Sequence, residues 1–128
     1  MEKVTGIGGI FFKARDAKTL RQWYRDHLGV PVDDSYGGAS FEWFDEEDPD
    51  AIGMTIWSPF PSTTMYFDPS PAPFMINYRV RNLDAMLDQL RTAGVPVEER
   101  VEQSEYGRFG WAMDPEGNRI ELWEPAKE

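Results

Sequence analysis

The chain has 128 residues, no cysteine and one histidine, His27, which is one domain's worth of sequence and excludes disulfides, thiolate nucleophiles and Cys-ligated metals. With a single imidazole, a zinc, copper or non-haem iron site would have to rest mainly on carboxylates, a poor match to those ions. Thirteen Lys and Arg against 23 Asp and Glu give a net charge of −10, a field that repels nucleic-acid phosphates and anionic lipid headgroups.

In chain order, Met1-Glu2-Lys3-Val4 lacks the basic-then-apolar layout of a signal peptide, and no apolar run is long enough to span a bilayer, so a soluble, cytoplasmic protein is expected. Gly9 to Ala14 reads as a strand, and Asp16 after it as a helix N-cap. Leu20, Trp23, Tyr24 and Leu28 then recur at helical spacing, until Gly29 and Pro31 stop the helix. His27 sits on this helix, where the dipole explains it better than catalysis does. Three strands follow at 30–35, 39–44 and 52–58, with Asp45-Glu46-Glu47-Asp48-Pro49-Asp50 read as a solvated turn lacking the glycine and spacing of a calcium loop. Pro59, Pro61, Pro69, Pro71 and Pro73 make 59–73 a linker with aromatic anchors, serving as plain connection, lid or subunit-contact arm. The same order then returns. Met75 to Val80 is a strand, Asn82 an N-cap, and Leu83, Met86, Leu87 and Leu90 an apolar helix face ended by Gly94 and Pro96. Strands are predicted at 95–102, 107–113 and 118–124, the last two joined by the turn Asp114-Pro115-Glu116-Gly117-Asn118.

The return is an internal repeat. Ile10, Phe12, Ala14 and Asp16 fall on Ile76, Tyr78, Val80 and Asn82 at an offset of 66, and Asp48-Pro49 falls on Asp114-Pro115 at the same offset. Gly29-Val30-Pro31-Val32 recurs as Gly94-Val95-Pro96-Val97 with the offset slipped to 65. The expected fold is α+β: one domain over 1–128 made of two βαβββ modules, 5–58 and 74–125.

Two stretches carry a family resemblance: Trp23-Tyr24-Arg25-Asp26-His27-Leu28-Gly29 at the helix end, and Asp114-Pro115-Glu116-Gly117-Asn118-Arg119-Ile120-Glu121-Leu122 at the final hairpin. With the tandem βαβββ pattern, the chain resembles the vicinal oxygen chelate superfamily of glyoxalase I, bleomycin-resistance proteins, extradiol dioxygenases and fosfomycin-resistance enzymes. The resemblance implies curved mixed sheets around a cleft, a helix outside each, a homodimer, and, in metal-using members, four cleft ligands. Those four positions fall at Gly9, Thr55, Met75 and Glu121. Their side chains make a degenerate set with one carboxylate, so no cofactor is expected; the alternative is Mg²⁺ or Mn²⁺ held weakly by Glu121 and completed by water and substrate.

Because side chains alternate along a strand, Phe11, Lys13, Asn77 and Arg79 share the cleft face with Gly9 and Met75, and Trp57, Arg119 and Trp123 share it with Thr55 and Glu121. Trp43 and Trp111 are further candidates for the wall. Glu105, Tyr106 and Arg108, before the penultimate strand, form a candidate rim. The proposed ligand-binding set is Phe11, Lys13, Thr55, Trp57, Asn77, Arg79, Glu105, Tyr106, Arg108, Trp111, Arg119 and Trp123, with Glu121 as the catalytic candidate. Aromatic walls with sparse polar groups describe a small-molecule pocket, while an ion-pair network with sheet-packing tryptophans is the bland reading of the same residues. Three functions remain: a metal-free binder of a small organic molecule, a lyase or isomerase using Glu121 as base or metal ligand, and a vestigial cleft in a protein acting through a partner.

Overall fold

The computed structural model describes residues 1–127. Strands form where aromatic and β-branched residues run: β1 (Val4–Ala14), β2 (Ala39–Asp45), β3 (Asp48–Pro61), β4 (Phe74–Val80), β5 (Glu102–Ser104), β6 (Gly107–Met113) and β7 (Arg119–Pro125), with α1 (Ala17–Leu28) after β1 and α2 (Leu83–Thr92) after β4. They make one curved, mixed sheet in the order β2-β3-β1-β4-β7-β6-β5. β1 runs parallel to β3 and β4 parallel to β7, while the two halves join through the antiparallel pair β1 and β4.

That joint obeys the repeat. Gly9 pairs with Asn77, Ile10 with Ile76 and Phe11 with Met75, so adding 66 to each β1 residue turns this set of pairs into itself. The final strands do not follow the same offset. Phe11 lies beside Ser58 and its equivalent Asn77 beside Glu121, so the counterpart of Glu121 is Ser58, and Thr55 lies three residues away. The hairpins explain the difference. Asp114-Pro115 stands in the turn before β7, whereas β2 and β3 close tightly at Asp45 and Asp48, leaving Asp48-Pro49 inside β3.

Both helices begin at the expected caps: Asp16 Oδ1 accepts from the Thr19 amide at 3.1 Å, and Asn82 Oδ1 from the Ala85 amide at 3.0 Å. Gly29 and Gly94 end them at φ 65° and 81°. Their apolar faces have different fates. Leu83, Met86 and Leu87 of α2 are buried with Val80 and Leu122. No residue of α1 is buried; Tyr24 packs on Trp57, while Trp23 and Leu28 are 49% and 63% exposed.

The edge strands are shorter than predicted. The stretch 30–35 is reduced to an isolated bridge between Asp33 and Gly38, because the Asp33 side chain caps the Ser35 amide and Gly37, at φ 76°, completes a turn. In the second half Val97 makes one bridge to Ala112 and pairing resumes only in β5. The acidic cluster also departs from expectation. Asp45 is buried and held by Arg79 at 2.8 Å and Arg81 at 3.1 Å. No described helix is long and apolar enough to cross a membrane.

Candidate functional site

The floor of the concave face is built around Glu121. Parallel pairing of β4 with β7 puts Asn77 beside it, and antiparallel pairing of β6 with β7 puts Trp111 on its other side. Asn77 Nδ2 donates to Glu121 Oε1 at 2.6 Å and Trp111 Nε1 to Oε2 at 2.9 Å. A third donor, the Tyr66 hydroxyl, reaches Oε2 from the Pro-rich linker. Glu121 is 2% exposed. Loss of hydration pushes its pKa above the ordinary carboxylate value, and the three hydrogen bonds and Arg119 only partly counter this. The Tyr66 phenol is likewise pushed up, by burial and then by the neighbouring carboxylate.

Behind this floor, Arg119 fastens the linker. Its guanidinium pairs with Glu98 through two bonds of 2.8 and 2.9 Å, donates to the Tyr66 carbonyl at 2.6 Å, and lies 4.9 Å over the Trp111 ring. Phe67 and Met75 fill the remaining space with Trp111.

Above the floor opens a cleft of about 510 Å³, an ordinary size for a small-molecule site. Phe11, Met54 and Ile56 form one wall and Phe109 and Trp123 the other. The rings of Phe109 and Trp123 lie 6.1 Å apart and within 5° of parallel. Trp123 is oriented by its indole N–H, which donates to the Tyr106 carbonyl at 2.8 Å. Tyr106, Tyr36 and Ser40 line the mouth, the last two joined by a 2.8 Å hydroxyl contact. Gly8 completes the floor beside a register shift in β1. Asn77 Oδ1 beneath it is buried without a hydrogen-bond partner, and a Cβ at Gly8 would overlap that oxygen.

Of the residues singled out from sequence, Phe11, Asn77, Tyr106, Glu121 and Trp123 meet at this cleft, and Trp111 stands directly behind Glu121. The others lie elsewhere. Trp57 packs under α1 against Phe12 and Tyr24. Thr55 is tied to the Ile7 carbonyl and accepts from Trp43 Nε1, whose ring fills the seam beside Gly6 and Gly53. Both placements have one cause: the β3 register differs from the 66-residue offset by three, an odd number, which exchanges the two faces and brings Met54 and Ile56 inward in place of Thr55 and Trp57. Arg79 is held by Asp45 and lies over Trp43. Lys13 reaches toward the Phe67 ring, 5.8 Å away. Arg119 is behind the floor, Arg108 is held by Asp84 of α2 at 2.8 Å, and Glu105 is exposed in the turn before β6. His27 is exposed on α1 against Trp23.

Tyr66 and Phe109 were missed. Alternation back from Trp111 would have found Phe109, but an irregular Pro-rich segment carries no periodic signal for Tyr66.

The donors do not fit a divalent cation. Gly9 has no side chain, Thr55 is spent on backbone and indole bonds, Ser58, the actual counterpart of Glu121, brings only a neutral hydroxyl, Met75 is a buried thioether against Arg119, and both Glu121 oxygens already accept. Among the described residues, no three His, Cys, Asp or Glu converge.

Residues 6–122 match the model of the Glyoxalase/Bleomycin resistance protein/Dioxygenase superfamily. The chain belongs to that superfamily. Its fold is shared with superfamily structures that include the methylmalonyl-CoA epimerase from Mycobacterium tuberculosis, at 25% identity and TM-score 0.58 over 97% of this chain and 90% of that one. A variant of Streptomyces coelicolor methylmalonyl-CoA epimerase in complex with 2-nitronate-propionyl-CoA aligns at 20% identity and TM-score 0.68, covering 98% and 100%. A superfamily member from Vibrio splendidus 12B01 aligns at 10% identity and TM-score 0.56, covering 95% and 97%. No curated protein is significantly similar to the chain in sequence.

Proposed function

We propose that this superfamily member is a binding protein for a small organic molecule, held in the cleft above Asn77 and Glu121 without a metal. The observation that carries the reading is the pair of parallel rings, Phe109 and Trp123, facing Phe11, Met54 and Ile56 across a concave space. Aromatic and aliphatic walls with few polar groups are what such ligands need. Titration of a panel of flat organic compounds by calorimetry tests it. Trp123→Ala should weaken any ligand found by about tenfold or more, the worth of an aromatic anchor. A panel that produces no binding refutes the reading.

A second reading makes the protein a lyase or isomerase with Glu121 as general base. Burial that raises the Glu121 pKa favours it, as does the presence of epimerases among the structural neighbours. Methylmalonyl-CoA incubated in D₂O with the protein should then gain deuterium at C2 faster than with Glu121→Gln. Equal rates exclude that substrate. We also infer a cytoplasmic homodimer, consistent with the superfamily's habit and the exposed apolar face of α1. A monomeric mass by analytical ultracentrifugation would overturn the dimer.

A further inference from the structure

The strands around the cleft carry cations, yet each is engaged away from it. Arg79 is bound to Asp45 at one end of the sheet. Arg108 reaches outward to Asp84 on α2. Arg119 lies behind Trp111, clamped by Glu98 and the Tyr66 carbonyl. Lys13 extends toward Phe67. Among the described residues, no Lys, Arg or His lines the cleft. An anionic ligand entering it would lose hydration and gain no counter-charge, which is costly.

The opposite charge is no better served. Glu121 is the single carboxyl group of the lining, and three of its acceptor sites are already used by Asn77, Tyr66 and Trp111, which leaves little for an ammonium group. The carboxylate is also 2% exposed. What the space offers instead is apolar, largely aromatic surface. Phe11, Phe109 and Trp123 line it together with aliphatic Met54 and Ile56, and an aromatic ligand gains the most dispersion and ring–ring contact against such walls. Polar groups accessible to a ligand concentrate at the mouth, where the Tyr36 and Ser40 hydroxyls already satisfy one another and can exchange partners.

We propose that the cleft selects uncharged, planar aromatic molecules over anions and cations of the same shape. The proposal rests on the binding reading above and adds the chemical class of its ligand. Three naphthalene probes of matched size test it near neutral pH by calorimetry on the whole chain: 2-naphthol, 2-naphthoate and 2-naphthylmethylammonium. 2-Naphthol should bind at least about tenfold tighter than either ion, a modest share of what leaving an ion unpaired in an apolar site costs. Met54→Lys, which adds a cation to one wall, should move the preference toward 2-naphthoate by about tenfold, since a paired charge loses much of that penalty.

If either ion binds as tightly as 2-naphthol, the proposal is overturned while the cleft-binding reading stands; if Trp123→Ala leaves the ranking and affinities unchanged, the ligand sits elsewhere on the chain and both fall. If none of the three binds, the inference is overturned, and the wider panel decides the cleft-binding reading. The wild-type ranking decides the matter even where Met54→Lys fails to fold.

Discussion

Replacing Glu121 with glutamine isolates one proton in the stability of the fold. Folding carries this carboxyl from water to a site where it is 2% exposed, and burial raises its pKa above the ordinary 4.5. Between 4.5 and the folded value the native state therefore holds more protons than the unfolded chain, so stability falls as pH rises, by at most ~1.4 kcal/mol per pH unit for one group. The contribution is present in full below 4.5 and is lost as pH climbs through the folded pKa. Asp16, Asp33, Asp45, Asp84 and Asp114 act with the opposite sign: hydrogen bonds hold them below 3.8, so their stabilisation is lost only on acidification. The variant should still fold. Its amide oxygen can accept from Tyr66 and Trp111, and its NH₂ can find Asn77 Oδ1, now without a partner, if that side chain turns over. Urea unfolding of both proteins from about pH 5 to about pH 8 gives the difference in stability at each pH. Glutamine should gain on glutamate through the window and then level off. A difference that is the same at both ends, or that moves the other way, refutes the account of a desolvated acid.

Tyr66→Phe removes one donor to Glu121, costing ~1–3 kcal/mol; because that bond holds the carboxyl pKa down, the loss should be larger at neutral pH than in mild acid, read by the same unfolding curves. Leu87→Ala opens a void in the α2 core and should cost ~2–5 kcal/mol, whereas Met65→Ala, at an exposed linker residue, should stay within ~0.5 kcal/mol in urea unfolding. Gly8→Ala puts a methyl group into Asn77 Oδ1 and 2.8 Å from Trp123 Cε3, so both side chains must shift; the unfolding midpoint should fall as Asn77 is pushed off the buried Glu121, and any cleft ligand should lose affinity in calorimetry.

What could be read from sequence was whatever local chemistry decides. Asp16 and Asn82 cap helices through their own side chains, and Gly29 and Gly94 take the left-handed conformation that ends them, with no help from distant residues. In the β4–β7 half alternation reaches Asn77, Glu121 and Trp123, but it gives only the face, so Arg79 and Arg119, drawn off to Asp45 and Glu98 at other points along the strands, were not told apart from them. The β3 half was misread. Its register depends on how tightly a hairpin closes at Asp45 and Asp48, and the matching Asp-Pro pair misled by marking a turn in one copy and strand in the other. Tyr66 was out of reach for a different reason: Arg119, distant in sequence and itself held by Glu98, donates to its carbonyl and fixes the segment that carries the ring to Glu121.

At the joint between the halves, Ile10 meets Ile76, which is to say its own copy across a two-fold axis. Two separate chains, each bearing one unit, could build the same strand pair. They could not build this cleft, because a symmetric dimer must put one residue type at both equivalent positions. Here Phe11 and Asn77 share a position, one as greasy wall and one as polar floor, and Ser58 and Glu121 share another. The tether is what permits a single binding site with two unlike sides.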